Sequence, residues 1–328
     1  MPASRVPSEV ILDALQLACR APSLHNSQPW RWVVTSDQVK LFADPDRLLR
    51  GADASGGEAL LSCGAALHHF RVAMAAAGWD TTAYRLPDED DRLHLATVEF
   101  APAPSVSTEQ KRRADAILLR HTERLPLEAP SEWIAGYAET LSTAGSVRID
   151  RLADEDRPMV AEASHLANLL RNGDPLYQDE LVSTTSDFAS PDAIPRTALA
   201  SQDQQRHVDV GRAFPTGSGP HRQTHTAEDQ SAILIMSTVD EERESVLRCG
   251  EALSALLLDA TTAGMATCTV SHVTEVPSGR EVVAALLADR PFPQVLVRVG
   301  RAATLDAPPP ATPRRPIEEV VEIHRSAE

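Results

Sequence analysis

The residues of this chain that could do chemistry fall in three places. The first is Ala21-Pro22-Ser23-Leu24-His25-Asn26-Ser27-Gln28-Pro29-Trp30, directly after an apolar-periodic segment. Ser23, Asn26 and Gln28 bring neutral hydrogen-bonding side chains into one short loop. Pro22 and Pro29 stiffen its two ends by fixing φ. A rigid set of neutral donors and acceptors suits a flat ligand with a polar edge, and suits neither a metal nor a polyanion. The second place is Arg120-His121-Thr122-Glu123-Arg124, and the third is Arg314-Arg315 between prolines. Guanidinium forks match phosphate oxygens bidentately, and a threonine hydroxyl adds a neutral donor. Prolines beside Arg314-Arg315 limit the backbone freedom that binding would remove. Taken singly, the loop reads equally as a helix end with a turn, and each basic cluster as a solvated patch.

The elements that must position these residues follow from periodicity. Ile11 to Cys19 reads as a helix, with Ile11, Leu12, Leu15 and Ala18 on one face. Trp30 onward alternates as a strand, as does Val39 to Phe42. Gln110 to Leu119 and Glu155 to Leu170 read as helices, and Ala232 to Thr238 as a buried strand. Residues 63–79 (CGAALHHFRVAMAAAGW) and 249–265 (CGEALSALLLDATTAGM) share Cys, Gly, Ala, Leu, Ala and Gly without a gap, 186 residues apart. Each reads as a long helix stopped by glycine. Each is followed, after a turn-rich connection, by an apolar strand: Leu93 to Val98, then Val295 to Val299. This pattern predicts duplication and fusion of one α+β unit, with halves at 1–104 and 105–328 joined at Ala-Pro-Ala-Pro (101–104). Residues 183–226 are rich in Ser, Thr, Asp, Gln, Pro and Gly, and read as a lid or flap.

Composition bounds the partners. The 328 residues are 42% hydrophobic and carry a formal net charge of −16, which disfavours nucleic acid and anionic membranes. No apolar run reaches about 18 residues, so no membrane span is expected. The N-terminal residues lack the apolar stretch of a signal peptide, and a cytoplasmic location is expected. Cys19, Cys63, Cys249 and Cys268 form no close pair, which argues against zinc or thioredoxin-type chemistry. His68-His69 and His221-x-x-x-His225 lack the spacing and the glutamate of a metal hydrolase. Gly217-Ser218-Gly219-Pro220 has no following Lys-Ser/Thr and is no phosphate loop.

Together the P-S-L-H-N-S-Q-P-W loop, the R-H-T-E-R segment, the glycine-ended helices and the basic tail resemble the FMN-dependent nitroreductase family, and within it the fused Acg-like subgroup of actinobacteria. The resemblance runs over nearly the whole chain. It implies an α+β, nitroreductase-like fold in which two fused halves form an intramolecular pseudo-dimer. It also implies one FMN at their interface, because the Ser/Asn loop occurs in the first half only and the arginine grip in the second only. Arg120, Thr122 and Arg124 would hold the phosphate and ribityl chain, with His121 acting through its backbone. Arg314 or Arg315 would reach the same phosphate. Pro22, Ser23 and Asn26 would line the isoalloxazine edge, and Gln28 and Trp30 would fix the loop. Thr267, Cys268 and Thr269 match the place where backbone groups approach the flavin.

By the same resemblance, NAD(P)H is the implied electron donor and a small molecule the acceptor. No catalytic acid or base is obligatory, because the cofactor carries the hydride chemistry. No separate dinucleotide domain is expected, since G-x-G-x-x-G is absent. The long 183–226 segment departs from the family's open channel, which leaves FMN storage under a closed lid as the alternative to turnover. Fusion makes a monomer sufficient, and higher assembly is open.

Overall fold

The computed structural model describes residues 5–132, 134, 146–186, 193–215, 228–289, 291–302 and 311–324. Helix α1 (Ser8–Ala18) buries Ile11, Ala14, Leu15 and Ala18, the one-face spacing of an amphipathic helix. Strands β1 (Trp30–Val34) and β2 (Gln38–Ala43) form a hairpin. Helix α2 (Gly57–Ala76) follows, then β3 (Trp79–Arg85) and β4 (His94–Pro102). Helix α3 (Thr108–Leu119) opens with a capping box between Ser107 and Gln110. Strand β5 (Val147–Arg151) leads into an insertion with α4 (Arg157–Asn172), α5 (Pro175–Ser183), the two-residue strands β6 (Thr185–Ser186) and β7 (Ile194–Pro195), and α6 (Gln202–Arg206). The chain continues through β8 (Ala232–Thr238), α7 (Arg243–Thr262), β9 (Ala266–Val270), α8 (Pro277–Ala285) and β10 (Phe292–Gly300), and ends in α9 (Ile317–Val320) and β11 (Val321–Ile323).

The duplication is visible in topology. One sheet runs β11-β1-β2-β4-β3 and the other β5-β8-β10-β9. Apart from β11, the two share one antiparallel order, with a long helix between the second and third strands of each unit. Helices α2 and α7 pack against one another, and the contacts repeat at the offset of 186 residues. A Cβ on Gly64 would sit 2.1 Å from the Leu247 carbonyl oxygen, and one on Gly250 2.1 Å from that of Leu61. Leu61 packs into the core of the second sheet, and Leu247 into that of the first. Gly78 and Gly264 end the two helices at φ +87° and +73°, the left-handed geometry that favours glycine. The fused two-half, α+β reading therefore describes the molecule.

Two features differ from the sequence expectation. Residues 79–85, expected as part of a turn-rich connection, form edge strand β3. None of its side chains is fully buried, so it carries no apolar signature. The C-terminal segment does not stay with the second half. After α9, β11 pairs in parallel with β1, so residues 321–323 complete the first sheet. This crossing brings the Arg314-Arg315 tail back to the first-half loop.

Where the halves meet, Nδ1 of His68 and Nδ1 of His69 each lie 2.7 Å from Ser254 Oγ. The hydroxyl has one proton, so it donates to one ring and accepts from the other. Burial, with Arg113 and Arg71 nearby, pushes His68 down to about 3. Such a histidine is neutral in both folded and unfolded chains above about pH 6.5 and costs stability below it, where only the unfolded chain takes up the proton. Between pH 6.5 and 5 the folded protein is expected to lose about 1–2 kcal/mol through His68. Urea denaturation at the two pH values should show that loss shrinking in His68→Asn. An equal pH dependence in both proteins would refute the assignment.

Candidate functional site

One cavity of about 860 Å³ lies between the first-half loop, α2, the R-H-T-E-R segment, β9, the insertion and the C-terminal tail. Its floor begins at the C-terminal end of α1. There Arg314 donates from Nε to Cys19 O (3.0 Å) and from Nη2 to Arg20 O (3.1 Å) and Ala21 O (3.3 Å). Nη2 of Arg120 donates to the same Arg20 oxygen at 3.1 Å. A helix carbonyl terminus favours cations, and this one holds two. Arg20 itself lines the cavity beside them. Among the described residues no carboxylate pairs with Arg20, Arg120 or Arg314. The Nε atoms of Arg20 and Arg120 are buried without a partner. Burial, then Arg20, pushes Arg120 down to about 10, and burial, then Arg120 and Arg20, pushes Arg314 down to about 9. Arg120 and Arg314 stay cationic at neutral pH, so with Arg20 the cavity holds a positive cluster with no counter-ion among the described residues.

The other residues singled out from sequence are placed as follows. Pro22, Ser23, Asn26, His121, Thr122, Arg124, Cys268 and Thr269 line the cavity. Ser23 Oγ accepts from Gln28 N at 3.0 Å, and Asn26 Nδ2 donates to Pro313 O at 3.2 Å. Gln28 is fully buried and outside the cavity; its Oε1 accepts from Arg315 N at 3.0 Å. The amides thus clamp the loop to the C-terminal tail. Arg315 does not line the cavity. It pairs with Asp44 at 3.2 Å, so of the two tail arginines Arg314 is the one beside Arg120. Thr267 does not line it either; it bridges Thr122, and its carbonyl accepts from Glu123 N at 2.8 Å. That bridge stitches the R-H-T-E-R segment to β9. Burial pushes the Cys268 thiol up, so it stays neutral.

Several cavity residues carried no sequence signal of their own. His25 stands at φ +48° in the loop, its imidazole edge-on to Tyr177 and Phe214 with both centroids at 6.0 Å. Its two ring nitrogens are buried without a partner, and burial, with Arg212 and Arg124 near, holds it neutral. Helix α2 presents Glu58, Leu61 and Ser62 on one face. Ser62 accepts from Leu24 N at 3.3 Å and donates to Glu58 O at 2.7 Å, fixing the loop on the helix. Glu58 lies in the first turn of α2, where the helix dipole favours a carboxylate by about 0.3–1 kcal/mol. That is less than one pKa unit, about 1.4 kcal/mol. Burial, reinforced by Glu275 and Asp53, outweighs it and pushes Glu58 well above the usual carboxylate range.

The insertion is anchored on the first half. Glu180 accepts from Gly51 N (2.7 Å) and Ala52 N (2.9 Å), and Arg171 donates to Gly51 O at 2.8 Å. From this anchorage Ile194, Gln205, Arg212 and Phe214 reach the cavity, and Arg124 lies over the Phe214 ring at 5.1 Å. Of residues 183–226, those at 187–192 and 216–226 lie outside the described residues, and with them His221, His225 and Gly217 to Pro220. Among the described residues no group of three His, Cys, Asp or Glu side chains could hold a metal. No described helix is long and apolar enough to cross a membrane.

A Mycobacterium tuberculosis protein with the provisional name NAD(P)H nitroreductase Acg is 51% identical over 325 residues, 98% of each chain. The chain belongs to the nitroreductase family. Within it, an uncharacterized M. tuberculosis protein is 43% identical over 326 residues, 97% of this chain and 94% of that one. No family model matches the sequence. Among solved structures, a nitroreductase with bound FMN from Desulfitobacterium hafniense aligns with a TM-score of 0.40 at 15% identity, covering 63% of this chain and 95% of that one. This member of the family has two fused α+β halves.

Proposed function

We propose that this nitroreductase-family chain binds one FMN in the cavity between its halves and uses it for NAD(P)H-dependent reduction of a small-molecule acceptor. The observation that carries the reading is the cluster of buried Arg120 with half-buried Arg20 and Arg314, three guanidinium groups that no carboxylate pairs among the described residues. A dianionic phosphate supplies the missing charge and accepts from the orphaned Nε atoms. The residues fit FMN in a second respect: 860 Å³ is within the usual range for cofactor cavities, and the walls combine apolar groups with a few polar ones. In this reading Thr122 and Arg124 hold the ribityl side, and Pro22, Ser23, Asn26 and the β9 residues Cys268 and Thr269 border the ring. When bound, FMN accepts and passes on a hydride equivalent.

A specific observation also favours a second reading, storage with little turnover. Tyr177 and Phe214 of the insertion stand against His25, so the insertion covers part of the cavity. Titration with FMN is expected to saturate at one per chain. Anaerobic NADH or NADPH is then expected to bleach the flavin band within minutes. Two flavins per chain, or none, would refute the site; one flavin that stays yellow under both donors would select storage.

A further inference from the structure

Three carboxyl groups gather where α2 begins, and two are committed. Asp53 accepts from Ala59 N at 2.8 Å. Glu275 is paired with Arg212 and with Arg171, and accepts from Ser271 at 2.8 Å. Glu58 is different. Its carboxyl has no hydrogen bond or ion pair among the described residues, and it faces the cavity on the same α2 surface as Leu61 and Ser62. We propose that the Glu58 carboxyl donates a proton to the oxygen of the electron acceptor reduced in this cavity. The proposal rests on the flavin reading above and adds a protein group to it.

The two neighbouring carboxylates argue for the protonated form. Glu275 and Asp53 oppose a third negative charge from the loops on either flank. Cys249 of α7, also close, is a neutral thiol, since burial pushes it up. Arg212 and Arg280 favour the carboxylate, but Arg212 is already spent on Glu275, and Arg280 donates to Glu241 and Thr274 O. Burial decides the outcome, and the acid is held well above its usual range. Neighbouring cavity walls at Leu61, Leu253 and Val295 are apolar, which suits an uncharged acceptor.

The step balances. An acceptor of the quinone or nitroarene type receives two electrons and one proton as a hydride from the reduced flavin, which leaves negative charge on an acceptor oxygen. The Glu58 O–H bond breaks and a new O–H bond forms at that oxygen. Glu58 is left as a carboxylate and regains its proton from water. A carboxylic acid kept neutral at neutral pH is a suitable donor for such a transfer.

The test compares the FMN-loaded wild type with Glu58→Gln and Glu58→Asp. Infrared spectra at pH 7 are expected to show a protonated-carboxyl C=O band that Glu58→Gln lacks. In anaerobic stopped flow with 1,4-benzoquinone, reoxidation of the reduced protein is expected to slow at least tenfold in Glu58→Gln. The wild-type rate should fall as pH rises and Glu58 ionises, and that dependence should vanish in the variant. Glu58→Asp, still an acid, should recover part of the rate. No difference in the infrared band, or an unchanged reoxidation rate and pH profile in Glu58→Gln, would overturn the proposal. Failure of the wild type to take up flavin would overturn the function reading, and this proposal with it. Uptake with no carboxylic-acid band would overturn this proposal alone.

Discussion

Replacing Arg120 by methionine is expected to weaken FMN binding by roughly a hundredfold while raising the melting temperature of the flavin-free protein. The two effects have one cause. Arg120 is buried; among the described residues its side chain makes one hydrogen bond, to Arg20 O, and its Nε is without a partner. Its charge faces Arg20 and Arg314 with no carboxylate to offset them. Replacing even a buried ion pair or triad by apolar side chains of similar volume is often neutral or stabilising by about 1–4 kcal/mol, and a charge that faces only like charges has less attraction to lose. Removing a charge-assisted contact to a buried phosphate costs about 3 kcal/mol of binding, about two decades in Kd. Arg314 supplies the contrast. It donates to five carbonyls, three of them at the end of α1, so Arg314→Met orphans acceptors as it removes charge. That variant is expected to lose flavin and to melt earlier than wild type. Differential scanning fluorimetry without ligand, followed by flavin titration, reads both. If Arg120→Met melts lower without flavin, or binds FMN as wild type does, the phosphate-cradle reading is wrong.

The parts of this site legible in the sequence are those fixed by covalent neighbours. The Pro22–Pro29 loop, the R-H-T-E-R segment and the proline-flanked arginines announce themselves because residue types and spacing alone constrain them. The repeat was legible for the same reason: a glycine-stopped helix recurs at a fixed offset, and the crossing at Gly64 and Gly250 is its three-dimensional form. What the sequence conceals depends on the crossing of distant segments. Arg315 was as good a phosphate ligand as Arg314 on paper. It differs because β11 joins the first sheet and turns its side chain to Asp44. Glu58 reads as an ordinary acidic residue in a helix's first turn. Only folding brings Asp53 and Glu275 beside it. His25 becomes notable only when Tyr177 and Phe214, about 150 and 190 residues away in the chain, close on its ring. Arg20 had one local cue, its place at the carbonyl end of α1, where the helix dipole favours a cation.

Introducing one methyl group at Gly64 is expected to damage the whole molecule. The new Cβ would meet Leu247 O at 2.1 Å, Gly250 Cα at 3.0 Å and Glu251 N at 3.1 Å, all of them backbone atoms. No side chain can swing aside, so α2 and α7 must separate. Overpacking of this kind costs about 1–3 kcal/mol, and more where the obstacle is rigid, so Gly64→Ala is placed at about 3 kcal/mol or above. Separation also moves Leu61 out of the second core and Leu247 out of the first, because each reaches across the crossing. Gly264→Ala is the control. Its Cβ would meet nothing within 4 Å, and it pays only for φ +73°, about 1 kcal/mol. Because Gly64 and Gly250 share one crossing, the double alanine variant should cost less than the sum of the two single changes. Once the helices have parted for one methyl group, the second finds part of its room already made. The cavity provides a second readout, since Leu61 and Ser62 of α2 and Leu253 of α7 all line it. A parted crossing should therefore weaken flavin retention even below the melting point, whereas Gly264→Ala should leave it intact. Urea denaturation of these four variants and the wild type, with flavin release alongside, tests this. Equal stability of Gly64→Ala and Gly264→Ala would show that the halves are not held in register by this crossing.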